Sequence, residues 1–187
     1  MIKRKKCFNK ILQPYRVIAQ EVCGNYNDIQ MHIGPEFCCF PDKNYISQID
    51  IPLIDEKMGR EMFYTKIKNK LRKNNVNENV SVELLSFLHE IGHIYTYNRF
   101  YSITYTIAKE LIQWLYQAPI NKSIKEKLQK IYFNLALEKR ADQWAIDYIK
   151  NNLEQIKQWD IMLNNNYKKH LPRLCKLVPD LLQESEQ

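Results

Sequence analysis

The sequence predicts an α+β fold: a mainly helical chain with a small N-terminal sheet, antiparallel or mixed, and one helix crowded with titratable residues. Three observations carry this expectation. Glycine is scarce, at four of 187 residues, which favours helix over tight-turned sheet. Short runs rich in β-branched and aromatic residues are confined to about 27–53. From about Glu56 onward, apolar residues recur at helical spacing. A chain of this length is read as a single domain, 1–187, large enough to bury a core without disulfide staples.

Taken in order, the first 22 residues are basic and mixed and suit a helix broken near Pro14. Next come QMHI, EFCCF and YISQIDI, separated by Gly34-Pro35 and by Pro41-Asp42-Lys43-Asn44. Both separators are turn chemistry, so the three runs read as strands of a small antiparallel sheet. A basic helix over 57–73 ends in Asn74-Asn75. A helix over about 81–98 follows, with Ser81 as N-cap and Glu83 at the positive end of its dipole. An apolar helix covers 102–117 and stops before Pro119. Ser123 and Glu126 have the form of a capping box, opening a helix over about 123–151. A last helix is expected over 153–164, ahead of a tail that contains Pro172 and Pro179.

The formal charge is +7, with Lys and Arg spread over 3–10, 57–73, 122–130 and 168–176. Such a balance admits nucleic acid, an anionic surface or an acidic protein partner, but solvated helix faces plus a basic tail are the preferred reading. Five cysteines, Cys7, Cys23, Cys38, Cys39 and Cys175, form no C-x-x-C pair. An odd count and two adjacent residues argue against a disulfide framework. No continuous apolar stretch follows the initial KRKK before Gln13-Pro14, and no run approaches the length of a membrane span. A reducing, cytoplasmic location is expected.

The chemistry concentrates in SVELLSFLHEIGHIYTYNR, residues 81–99, which hold two of the four histidines. Residues four apart on a helix sit about 40° from each other around the axis, so His89 and His93 project side by side. Two imidazoles at that spacing can grip one tetrahedral Zn²⁺. Glu90 lies about 100° round, placed to reach a water on the metal and not the metal itself. Such a zinc brings its water toward a pKa of about 7 and polarises a substrate carbonyl; Glu90 takes the proton and returns it to the leaving amine. The flanking Leu84, Leu85, Leu88 and Ile91 make these polar groups costly unless they are satisfied. Gly92 costs about 1 kcal/mol against Ala within a helix, which points to a close approach by another element.

A catalytic zinc needs a third protein ligand. A glycine and a histidine three and six residues after His93 would complete one extended pattern, but Thr96 and Arg99 stand there. His32 and His170 are the remaining histidines. A carboxylate from a second helix is the other route, and ALEKRADQWAIDYI, residues 136–149, offers one. Glu138 and Asp142 share a face with Ala141, Ala145 and Ile149, whose small members allow close packing over Gly92. Glu138 is then the third ligand, and Asp142 accepts the N–H of a ligating histidine and fixes its ring. Glu110 is the rival ligand, but Trp114 stands four residues on, where no carboxylate is available.

HEIGH followed by E-x-x-A-D-x-x-A resembles the gluzincin class of zinc metallopeptidases. Within it, the pair is similar to the ImmA/IrrE-like intracellular peptidases, with Trp144 at the aromatic position before Ala145. The resemblance implies a zincin-like fold, a Zn²⁺ cofactor held by His89, His93 and Glu138, Glu90 as general base and Asp142 in the orienting role. It covers Ser81 to Tyr148. It implies a specific intracellular protein as substrate, such as a transcriptional regulator. Enzymes of this kind bind peptide along an edge strand, so Tyr45, Ser47 and Ile49, in the run that ends at Pro52, are the candidate substrate contacts. Tyr97, Tyr101, Tyr105 and His170 are candidates to stabilise an oxyanion. The alternative function is a basic nucleic-acid-binding protein with a non-hydrolytic metal site. It rests on the basic stretch 57–73, with Phe63 and Tyr64 interleaved, and on the Lys-rich N-terminus.

Overall fold

The structure, a computed structural model, describes residues 2–24, 29–34, 38–41, 47–52, 65, 68–76, 80–97, 101–117 and 121–177. It is mostly helical with one small sheet, in keeping with the expected α+β class. Helix α1 spans Ile2–Cys23. Strands β1 (Ile29–Gly34), β2 (Cys38–Phe40) and β3 (Ser47–Pro52) follow. After a short helical segment at 68–73 come α2 (Val82–Thr96), α3 (Tyr101–Gln117), α4 (Lys122–Phe133), α5 (Ala136–Asn151) and α6 (Leu153–Leu177).

Pro14 does not break α1. Ile11, Leu12, Tyr15, Ile18 and Ala19 form a buried stripe at helical spacing, and burying that stripe outweighs the missing N–H. The carbonyl of Ile11, one turn before the proline, accepts a hydrogen bond from Asn166 Nδ2 at 3.2 Å. The same partner helix, α6, runs antiparallel to α1. Its Trp159 and Gln155 side chains donate to Glu21, while the hydroxyls of Tyr167 and Tyr15 share a hydrogen bond at 2.8 Å. That partnership also carries α6 well past the expected end at 164, with Pro172 inside it.

The sheet is mixed, and its order is β1-β3-β2. β1 runs parallel to β3, with Met31 opposite Ile49, and β2 runs antiparallel to it, with Cys39 opposite Ile49. The expectation that 45–51 is an edge strand is therefore corrected: β3 is central, paired on both sides at Ile49, and Ser47 and Ile49 are buried. Tyr45 lies outside the described residues. The sequential runs β1 and β2 flank β3 instead of pairing with each other, so of the two expected arrangements, antiparallel or mixed, the sheet takes the mixed one. In β1, Ile29 and Met31 face the core while Gln30 and His32 face out.

Of the basic stretch 57–73, only 65 and 68–73 are described, and the helix ends as expected at Asn74-Asn75, with Asn75 at φ 62°. Ser81 caps α2, its hydroxyl accepting from the Leu84 amide at 3.3 Å. Every residue of α2 from Leu84 to His93 is buried, against β2, β3 and α5. Tyr15 of α1 meets Phe87 edge-on at 4.9 Å between ring centroids.

The helix expected over 123–151 is two helices. Asn134 caps α4, its amide donating to the Ile131 carbonyl at 3.0 Å and its side chain to the Lys130 carbonyl at 2.7 Å, while the Leu135 amide donates to the Tyr132 carbonyl at 2.9 Å. Leu135 is extended, and α5 restarts from it. The N-cap of α4 is Asn121, which accepts from Ile124 N at 3.0 Å, and not Ser123. The break has a packing cause. α4 buries no residue, whereas α5 buries seven, from Leu137 to Ile149. The chain must turn between them to lay α5 on α2.

Candidate metal centre

Helices α2 and α5 meet at Gly92. A Cβ added there would lie 2.7 Å from the carbonyl oxygen of Ala141 and 3.0 Å from its Cα. Both are backbone atoms that cannot step aside, so the absent side chain sets the distance between the two helices. Ala141 and Ala145 are fully buried on the facing side. Behind this seam an aromatic series joins three helices: Tyr95 stacks on Trp144 at 4.9 Å, Trp144 on Tyr148 at 5.2 Å, and Tyr148 on Trp159 at 6.0 Å. The close approach anticipated for Gly92 is thus present, and it brings Glu138 and Asp142 over the two histidines.

The Nε2 atoms of His89 and His93 face each other at 3.1 Å. Glu138 Oε2 is 3.2 Å from His89 Nε2, and Oε1 is 3.5 Å from His93 Nε2. All three residues are buried. On the opposite side of the His89 ring, Nδ1 lies 3.0 Å from Asp142 Oδ1. Glu90 is buried next to them, near enough that its charge bears on His89 and on the hydroxyl of Tyr132.

The electrostatics follow from this crowding. Burial pulls His89 down, but Asp142 and Glu138 outweigh it and hold its pKa at about 10. Burial drives His93 down to about 4, and repulsion from His89 opposes the pull of Glu138. Glu138 is raised by burial yet ends below the ordinary carboxylate value, because His93, His89 and the Tyr132 hydroxyl favour its ionised form. In the metal-free protein His89 therefore keeps a proton at neutral pH and His93 presents a lone pair.

The donor set fits a cation. Buried imidazole nitrogens and carboxylate oxygens converge at 3.1–3.5 Å with only the His89 proton to share among them, and Glu138 Oε1 is buried with no hydrogen-bond partner among the described residues. Bonds of about 2.0–2.1 Å to a tetrahedral zinc would set neighbouring ligand atoms about 3.3 Å apart. Among the described residues, His89, His93 and Glu138 form the group of three that could hold a metal ion.

Other candidates fall elsewhere. His32 is exposed on β1, where its ring meets Gln30 at 3.4 Å. Glu110 is exposed on α3, so it does not rival Glu138. Tyr97 and Tyr105 pack around Ala108 and Leu137, one residue from the carboxylate ligand; the Tyr101 side chain lies outside those described. His170 is buried on α6, outside the metal-holding group. Sequence reasoning missed two residues. Tyr132, at the end of α4, hydrogen-bonds Glu138. Lys70 places Nζ 2.9 Å from Asp142 Oδ2. Neither belongs to a spaced pattern, so only the turn at 134–135 and the docking of segment 68–73 bring them in.

Fold and site together define an α+β protein in which two helices close on a buried His-His-Glu group able to hold a metal ion. Comparison with protein-family models, with curated proteins and with solved structures returned no match.

Proposed function

We propose that the protein is a zinc-dependent endopeptidase of the gluzincin kind that cleaves a peptide bond in a specific cytoplasmic protein. The observation that carries this reading is the buried carboxylate of Glu90 next to the convergent His89, His93 and Glu138. A purely structural zinc site has no use for an additional carboxylate at that place, and such sites are usually rich in cysteine. Bound there, zinc supplies a Lewis acid for the scissile carbonyl and lowers the pKa of water to about 7.

The chain's own residues do the rest. Asp142 holds His89 Nδ1 so that Nε2 faces the site, and Tyr132 steadies Glu138. Glu90 takes a proton on its carboxylate and delivers it to the leaving amine nitrogen. With β3 enclosed, β2, which packs on α2, is an outer strand of the sheet among the described residues. Its backbone is the place for an extended substrate to pair. Burial, and then the charge of Glu90, push the Cys39 thiol of β2 well up, so this cysteine serves as packing and not as a nucleophile. Free thiols at Cys23 and Cys39 suit a reducing compartment, and among the described residues no helix is long and apolar enough to cross a membrane.

The test is to incubate the zinc-loaded protein with a cytoplasmic protein extract and label newly formed N-termini. New termini should appear with the wild type and be absent with Glu90→Gln carrying equal zinc. Identical termini from both proteins would contradict the assignment.

A further inference from the structure

Lys70 belongs to neither ligand-bearing helix, yet its ammonium nitrogen lies 2.9 Å from Oδ2 of Asp142. Asp142 is 0% exposed, and its other oxygen lies 3.0 Å from Nδ1 of His89. One carboxylate is thus divided between a cation and a ligand ring. We propose that Lys70 is a positioning residue for the metal centre, holding Asp142 and, through it, the imidazole of His89. The inference rests on the reading of His89, His93 and Glu138 as ligands.

The backbone under Lys70 is built for the task. Its carbonyl accepts from the amide of Asn74 at 3.1 Å and from Asn74 Nδ2 at 2.9 Å, which closes the helical segment. The neighbouring Leu71 is buried in the main core, and its carbonyl accepts from Val76 N at 2.9 Å. A lysine anchored at both its own carbonyl and its ammonium is not a free surface arm. Its side chain keeps 36% exposure while its partner has none. Solvent therefore limits the desolvation cost of the cation, and the cation compensates a carboxylate that has no solvent of its own.

Formal charge points the same way. Glu90, Glu138 and Asp142 place three carboxylates in one buried cluster. With neutral imidazoles, a divalent ion balances two of them and Lys70 balances the third. The division of labour is also geometric: with Oδ2 fixed by Lys70, the carboxylate cannot turn about its last bond, and Oδ1 stays on His89. Without the ammonium, Oδ2 loses the donor at 2.9 Å that holds the carboxylate's orientation, and the ring of His89 loses its fixed partner.

The experiment measures the Zn²⁺ dissociation constant of the full chain by competition with a chromophoric chelator. The proteins compared are the wild type, Lys70→Met, Lys70→Gln and Lys70→Arg, with the visible spectrum of each Co²⁺ form. Circular dichroism and melting of the metal-free proteins establish which variants fold. Both neutral variants should bind zinc about tenfold more weakly, at the lower end of the range for partners of ligating histidines. Their Co²⁺ bands should shift as His89 reorients, and Lys70→Arg should restore affinity and bands. Wild-type affinity and unchanged bands in a folded neutral variant overturn the role of Lys70 alone. Equal weakness in folded Lys70→Arg and in the neutral variants overturns it as well. Failure of the wild type to bind zinc overturns the ligand assignment, and this inference with it.

Discussion

Helix α2 buries ten consecutive residues, polar ones included, whereas α4 buries none, and its neighbour α3 leaves Ile103, Ile107 and Trp114 at the surface. Both regions carry apolar residues at helical spacing. In α2 that stripe is enclosed by the sheet and by α5, so His89, Glu90 and His93 are buried with it. In α3 and α4 the stripe is only partly covered, chiefly around Ala108, Leu137, Tyr105 and Tyr132. Periodicity thus announces a helix without saying how deeply it is buried. Charged and imidazole groups in the most enclosed helix are what separate a site from a scaffold, because only a partner repays their burial.

This contrast is broken most directly at Asp142. Asp142→Asn keeps the shape but removes the charge that both His89 and Lys70 face, and zinc affinity should fall about 10–100-fold. A competition titration with a chelator checks this, and equal affinity would show that the Asp142 contact is idle.

The next effect is one of pH. In the metal-free protein His89, held at about 10, is protonated at neutrality, while His93, at about 4, is not. Binding a metal at both Nε2 atoms must then displace about one proton throughout that window. Zinc affinity should therefore rise about tenfold per pH unit between roughly pH 5 and 9 and weaken correspondingly as pH falls. Calorimetry in two buffers of different ionisation enthalpy counts the proton; a value near zero would contradict the assignment.

Gly92→Ala comes third. Its Cβ would press on the backbone of Ala141, and the strain, about 1–3 kcal/mol, is offset by about 1 kcal/mol of helix propensity. A net loss of up to about 2 kcal/mol in chemical denaturation is expected, with weaker zinc binding because the seam carries the ligands. The smallest effect lies in the other region. Ile107→Ser and Trp114→Ala, both at exposed positions, should change stability by no more than about 0.5 kcal/mol and leave zinc affinity untouched.

Much of this arrangement was legible in the residues. The Ser81 cap, the Asn74-Asn75 stop and the side-by-side histidines are local features, decided by a few neighbouring positions. Glu138, Asp142 and the approach to Gly92 were legible because Glu138 and Asp142 share a helix face with Ala141 and Ala145, small enough to meet a glycine closely. The order of the strands was not, since turn chemistry fixes where a strand ends and not which neighbour it takes. The break at Asn134-Leu135 was hidden because asparagine is tolerated inside helices, and the demand for it comes from α5 docking on α2. Pro14 misled because packing between α1 and α6 outweighs a local helix-breaking preference. Lys70 and Tyr132 belong to no motif and enter only through the tertiary fold.

The most direct test of the central claim is the metal content of protein purified without chelators, for the wild type, Glu90→Gln and Glu138→Ala. A buried His-His-Glu zinc centre with Glu90 as its base predicts about one zinc per chain in the wild type. It also predicts equal zinc in Glu90→Gln and a marked loss in Glu138→Ala. Wild-type protein that carries no zinc and takes none up, or Glu138→Ala that retains it in full, would contradict the account.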